Sequence, residues 1–222
     1  MKKSNVGTKN EIVGKLKNAI MDADYDSAPK ITEEALKAGV QPKVLMEKAI
    51  SAGIIDLEEK LFGDSRAWGH PILYMAIEAA RRSLLILEPY FKPLEEETLG
   101  TVVLGTPEGD VHDMGGKMVA LSLTAAGFKV VYLGRDVLPS LFVHKVKESG
   151  AQILGMSSFA YNGPEKIIET LNLLSKAGIR DKVKVMAGGC VISPKFTNKV
   201  GIGYGKTASD AVRLAKKYIG GK

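Results

Sequence analysis

The sequence predicts an α/β protein in two parts: an N-terminal helical bundle, then a doubly wound, five-stranded parallel sheet. Three observations carry this. Apolar residues recur at helical spacing up to about residue 90, short Val-, Ile- and Leu-rich runs alternate with helical segments after residue 98, and Pro89, Pro93 and Glu95-Glu96-Glu97 punctuate the stretch between. The first pattern marks amphipathic helices, the second strands buried on both faces, and the third a break in regular structure.

In the bundle, Ile12, Leu16, Ala19 and Ile20 form one helical stripe, Ile31, Ala35 and Leu36 a second, and Val44, Leu45, Ala49 and Ile50 a third. Gly39 stops the second helix, and Pro42 suits the first turn of the third, where a missing amide costs nothing. A further helix over about 70–91 carries Ile72, Met75, Ala76, Ala79, Ala80 and Leu84 on one side. The expectation is four or five helices over 1–92, a linker at 93–98, and the α/β domain over 99–222. Strands are predicted at 101–105, 129–133, 152–157 and 183–187, with a short fifth near 201–204. Helices are predicted at about 113–126, 139–149, 164–177 and 208–219. Strands that alternate with helices of this length form a parallel sheet covered on both faces, the flavodoxin-like or Rossmann-like arrangement.

Composition narrows the function. At 222 residues, 45% hydrophobic and 25% charged, the chain is an ordinary globular one. No apolar run reaches the roughly 18 residues that span a bilayer. The start, Met1-Lys2-Lys3-Ser4-Asn5, leads into no apolar segment, so a cytoplasmic protein without a membrane partner is expected. One cysteine, Cys190, rules out an internal disulfide framework and a cysteine-based zinc cluster. The net charge of +6 is spread among acidic residues without a basic block. No nucleic-acid partner is therefore expected.

Ligands of a doubly wound sheet bind at the carboxyl ends of its strands, where strand order reverses. Asp110-Val111-His112-Asp113-Met114-Gly115 follows the first predicted strand, Ser157-Ser158-Phe159 ends the third, and Gly188-Gly189 ends the fourth. Segments distant in sequence thus converge on one edge. A neutral histidine offers one ring nitrogen to a metal while the other donates a hydrogen bond that fixes tautomer and ring direction. Asp110 is the expected acceptor for His112, and Ser157 the expected partner of Asp110. Gly115, Gly116, Gly188 and Gly189 leave space for a ligand's tail and allow close backbone approach. Taken singly, these pieces are a solvated turn, a strand-end hydroxyl and a tight turn; their joint spacing sets them apart. Phosphate loops fit worse. Gly105-Thr106-Pro107-Glu108-Gly109 lacks the dinucleotide glycine order, Val111 stands where a Walker loop needs its first glycine, and Met118 follows Lys117 in place of Ser or Thr.

Between Gly115 and Ser157 lie 41 residues, and between Phe159 and Gly188 lie 28. The whole pattern, Asp-x-His-x-x-Gly, Ser-x-Phe and Gly-Gly, resembles the signature of cobalamin-binding domains that hold the corrinoid with its own base displaced and a histidine on cobalt. Over roughly residues 10–220 the chain resembles the corrinoid proteins of methyltransferase systems, the family of methanol-, methylamine- and methoxyaromatic-specific carriers related to the cobalamin module of methionine synthase. That resemblance implies cobalamin held base-off and His-on, with His112 as the lower cobalt ligand. Asp110 and Ser157 would form its relay, while Asp113, Met114, Gly115, Ser157, Phe159, Gly188 and Gly189 would line the pocket. In such proteins the bundle caps the upper face. Trp68, with Phe62, is expected either to shield that face or to be plain bundle core.

The implied partners are a substrate:corrinoid methyltransferase, a second methyltransferase that passes the methyl group to coenzyme M or tetrahydrofolate, and a reductive activase. The chain itself would be a carrier, not a complete enzyme. The donor stays open among methanol, methylamine and methoxyaromatic compounds, with a slight lean to an O-methyl donor. Departures from the family pattern are Phe159 in place of leucine and His70-Pro71 in place of Leu-Pro. His70 is read as a capping or surface residue ahead of an upper-face ligand. The turn Leu133-Gly134-Arg135-Asp136-Val137 also resembles the family's second-strand end, its acidic residue either positioning the next loop or sitting in solvent. Alternative readings are the cobalamin subunit of an adenosylcobalamin-dependent mutase, which lacks so long a helical cap, and a cobalamin-based sensor, which needs a DNA-binding helix pair not found here.

Overall fold

The computed structural model describes residues 3–62, 71–91 and 98–220, in two compact units spanning 1–91 and 92–222. Trp68, His70 and linker positions 93–97 lie outside the described residues, as does the side chain of Phe62.

The first unit is helical. It comprises α1 (Lys3–Met21), α2 (Ser27–Lys37), α3 (Pro42–Leu45), a π-helical stretch (Met46–Ser51), α4 (Ala52–Phe62) and α5 (Pro71–Leu87). Leu16, Ile20, Ala35, Leu45, Ile50, Ala76, Ala79, Ala80 and Leu84 are buried, so most of the residues read from spacing face inward, but Met75, expected in the last stripe, is exposed. Pro42 takes the first helical position of α3 behind an extended Gln41. Gly53 lies so close to Ile20 of α1 that a Cβ there would collide with it. Charge stays on the surface: Glu78 pairs with Arg81 and Arg82, and the Arg82 guanidinium lies 4.9 Å from the centre of the Tyr25 ring.

The second unit holds β1 (Thr101–Gly105), β2 (Lys129–Tyr132), β3 (Ile153–Ser157), β4 (Lys184–Gly188) and β5 (Gly203–Gly205). They form one parallel sheet in the order β2-β1-β3-β4-β5. Between and after them run α6 (Met114–Ala125), α7 (Pro139–Ser149), α8 (Gly163–Lys176), α9 (Pro194–Val200) and α10 (Ala208–Tyr218). Side chains alternate across the sheet as strand geometry dictates. Val102, Leu104, Ile153 and Met186 pack with Ala120, Leu123, Ala211 and Ala215 on one face. Val103, Leu154, Val185 and Ala187 pack with Phe142, Ile167 and Leu174 on the other. Register pairs Val103 with both Val131 and Leu154, so β1 is an interior strand between β2 and β3.

Helix α9 was not expected from hydrophobic period, because it has one fully buried residue, Thr197. Its signals are local: Ser193 accepts a hydrogen bond from Phe196 N, Pro194 opens the first turn, and Gly201 closes it at φ 66°. The topology fixes where a ligand can enter. From β1 the chain steps to β2 on one side, then crosses to β3 on the other, so the loops after β1 and β3 part at the order reversal.

Candidate functional site

The loop after β1 turns at Pro107–Asp110, where Asp110 N donates to Pro107 O at 3.1 Å. This turn delivers Asp110 into the crevice between the β1 and β3 ends with no exposed surface left on it. A buried carboxylate is costly unless donors replace its water. Here five do. Asp110 Oδ1 accepts from His112 N at 3.0 Å and faces His112 Nδ1 at 2.8 Å. Its Oδ2 accepts from Ser158 Oγ at 3.0 Å, Phe159 N at 2.6 Å and Ala160 N at 2.9 Å. Burial alone would raise the carboxyl's pKa, but the amides of Phe159, His112 and Ala160, with the His112 ring, outweigh it and hold Asp110 below its ordinary range. Asp110 is thus an anion at neutral pH, as an acceptor for imidazole N–H must be.

His112 has the complementary placement. Its side chain is 53% exposed while its Nδ1 is tied down to a carboxylate with 0% exposure. With Nδ1–H donating to Asp110, the lone pair falls on Nε2, the nitrogen on the far side of the ring. The Phe159 ring sits 5.3 Å from the imidazole, tilted by 40°. Together they hold the ring from its edge and its side.

The relay expected through Ser157 needs correction. Ser157 is the last residue of β3, in register with Gly188, while its neighbour Ser158 begins the loop and its hydroxyl reaches Asp110. The reason is geometric: Ser158 leads directly into the amides of Phe159 and Ala160, so hydroxyl and amides close on one oxygen. Ser157 Oγ instead faces Gly115, 3.5 Å from where a Cβ would stand. A hindsight signal exists in Gly163, where any Cβ would overlap Ser158 Oγ.

The remaining expected residues surround this centre. Asp113 caps α6 without a side-chain cap bond, and its carbonyl accepts from Tyr132 OH at 3.0 Å. Burial, then the Asp113 carboxylate, pushes the Tyr132 phenol up, so it remains a neutral donor. Met114 and Gly115 start α6. Gly188 and Gly189 are required by the protein's own backbone. A Cβ on Gly188 would overlap the Gly205 carbonyl, and one on Gly189, at φ 104°, would overlap the Ser158 carbonyl. They draw the strand ends together and hold the Ser158 loop. Thr106, which carries no sequence signature, also lies here. It is fully buried, its Oγ1 has no partner among the described residues, and it lies 3.4 Å from where a Gly116 Cβ would stand.

A carboxylate-backed imidazole and a buried hydroxyl thus meet at the switch point of a doubly wound domain, where such folds bind ligands. Residues 100–213 match the family model described as B12 binding domain. The chain is 40% identical over 211 residues to trimethylamine corrinoid protein 2 of Methanosarcina mazei, covering 94% of this chain and 96% of that protein. In structure it matches the monomethylamine corrinoid protein of Methanosarcina barkeri at TM-score 0.81 and 29% identity, with 94% and 98% of the two chains covered. It also matches the methanol:cobalamin methyltransferase complex of the same organism at TM-score 0.54 and 27% identity, over 96% of this chain and 81% of that one. The chain belongs to the corrinoid proteins, and its second domain binds cobalamin.

Proposed function

We propose that the chain is a methyl carrier that holds cobalamin base-off, with His112 Nε2 on cobalt. The arrangement of His112 and Asp110 carries this reading. Nδ1 is committed to a buried anion 2.8 Å away, so one tautomer is fixed and the remaining nitrogen is made more basic. The fit extends to the tail. Thr106 Oγ1 is a buried hydroxyl without a partner among the described residues, and the side-chain-free helix start lets Thr106, Tyr132 and Ser157 come close to the backbone of Gly115 and Gly116. His112 would hold the metal, Asp110 with Ser158 would hold His112, and Thr106, Ser157, Gly115 and Gly116 would border the displaced base and its ribose. When bound, cobalamin supplies a cobalt centre that takes up a methyl group and gives it away.

The residues here bind, orient and hold charge. The solved methanol:cobalamin methyltransferase complex supports a substrate-specific methyltransferase as one partner. A second methyltransferase, taking the group to coenzyme M or tetrahydrofolate, and a reductive activase complete the cycle. The high coverage of a trimethylamine corrinoid protein moves the donor from the O-methyl compounds favoured by the sequence reading to methylamines.

Reconstitution with hydroxocobalamin tests the site. The purified chain should retain a stoichiometric corrin spectrum after gel filtration, and a protein that emerges colourless contradicts the reading. Adding a trimethylamine:corrinoid methyltransferase and reductant should then methylate the bound corrinoid from trimethylamine. Methylation from methanol alone, by a methanol-specific partner, would reassign the donor.

A further inference from the structure

We propose that Asp136, in the turn after β2, is a positioning residue for His112. This rests on the reading of His112 as the cobalt ligand. Pairing between the β1 and β2 segments continues past the strand ends. Thr106 N donates to Gly134 O at 2.9 Å, Val137 N to Thr106 O at 2.9 Å, and Glu108 N to Val137 O at 2.9 Å. Pro107 and Val137 form a parallel bridge. Asp136 closes this extension at two points. Its Oδ1 accepts from Gly109 N at 2.8 Å, and its own N donates to Asp110 O at 3.0 Å. Both contacts fall on the residues that launch Asp110 toward His112.

The opposite side of the same loop is held by other groups. Asn162 Nδ2 donates to Glu108 O at 3.0 Å, and Lys166 pairs with Glu108 at 2.7 Å. The loop carrying the histidine is therefore gripped from the β2 side by Asp136 and from the β3 side by Asn162, Lys166 and the amides on Asp110. Deleting the Asp136 carboxylate frees Gly109 N while the backbone pairs to Gly134, Asp136 and Val137 remain, so the loop loosens locally at the residue before Asp110. A metal ligand tolerates little such freedom, because ligation and orientation depend on sub-ångström placement.

Asp136 also adopts φ 55°, a left-handed conformation that aspartate enters more readily than most residues. If the turn alone mattered, glycine would serve there as well or better. That difference makes the test. Asp136→Gly keeps the backbone conformation and deletes the acceptor, whereas Asp136→Asn keeps both the conformation and a carbonyl oxygen for Gly109 N.

Two readouts are measured on the full chain. In the cofactor-free protein, amide hydrogen exchange at Gly109 and His112 should quicken about threefold to tenfold in Asp136→Gly, the scale of one net hydrogen bond, and stay near wild type in Asp136→Asn. With cob(II)alamin bound, electron spin resonance should show a smaller nitrogen-split fraction in Asp136→Gly and an unchanged one in Asp136→Asn. Wild-type exchange and splitting in Asp136→Gly would overturn the proposal, as would equal loss in the glycine and asparagine variants. A wild-type chain that binds no corrinoid would sink the cobalt reading while leaving the exchange measurement to judge the clasp.

Discussion

The two units of this chain treat charge in opposite ways. In the helical unit, charged groups form pairs at the surface, such as Glu78 with Arg81 and Arg82, over a core of leucine, isoleucine and alanine. In the α/β unit, Asp110 is completely buried, the one carboxylate among the buried polar and charged residues described. A surface pair contributes little because water already solvates both partners. A buried anion must be solvated by the fold, and five donors assembled from two loops do so. Such an anion is expensive to build, and here it orients an imidazole whose side chain is half exposed.

The contrast is broken most sharply at Asp110. Asp110→Asn turns an amide NH2 toward donors on one side, leaving buried N–H groups unmatched, and should destabilise the α/β domain by about 3 kcal/mol in urea melts. Its pH behaviour follows from the lowered pKa. Stabilisation by the Asp110 anion is complete above its ordinary value of 3.8 and is lost as pH falls below that toward the folded value. Acid unfolding of the wild type should therefore steepen below that point, and Asp110→Asn should flatten this limb. An equal acid response in both proteins would mean that the anion is not what the fold protects.

The two adjacent serines sharpen the same comparison. Ser158→Ala removes a buried donor to Asp110 and should cost about 1–2 kcal/mol, whereas Ser157→Ala should cost less than about 0.5 kcal/mol in the cofactor-free protein. Reversed magnitudes would restore the relay to Ser157. Thr106 gives the opposite expectation to Ser158. Thr106→Val deletes a hydroxyl without a partner among the described residues, so cofactor-free stability should hold or rise by about 0.5 kcal/mol while corrinoid affinity falls about fivefold, the scale of one net hydrogen bond. Unchanged affinity by equilibrium dialysis would remove Thr106 from the tail pocket.

At the small end stands Glu78. The Arg81 and Arg82 guanidiniums hold its carboxyl at about 2, below its ordinary 4.5. Its contribution is thus present above 4.5 and lost on descent to about 2. The group is partly exposed, so Glu78→Gln should cost about 0.5 kcal/mol and lose salt dependence, as surface pairs do. A loss as large as that of Asp110→Asn would erase the distinction between the units.

Much of this was legible in sequence because period and punctuation are local. The strand runs, the bundle stripes, Pro42 and the Asp110–His112 pair all follow from side-chain type and spacing. What was illegible is what depends on backbone. The amides of Phe159 and Ala160 on Asp110 carry no side-chain signature, and Ser158 displaces Ser157 only because the chain turns there. Gly188 and Gly189 were expected to leave space for a ligand's tail and to allow close backbone approach, and it is the approach, to the carbonyls of Gly205 and Ser158, that the fold displays. Asp136 reaches back to the preceding loop at Gly109, where the sequence left it between positioning the next loop and facing solvent. The helical unit matters to the functional reading in another way. A relative aligned over 94% of the chain includes that unit, which favours the corrinoid carriers over a mutase subunit without a helical unit of this length.

In the proposed function His112 presents Nε2 to cobalt while Asp110 holds Nδ1. Electron spin resonance of the cob(II)alamin-loaded chain tests it most directly. The wild type should show each cobalt line split by one nitrogen, and His112→Ala, with its far-ultraviolet circular dichroism unchanged, should lose that splitting. Splitting that survives in His112→Ala would show that another nitrogen ligates the metal, and the account of this site would be wrong.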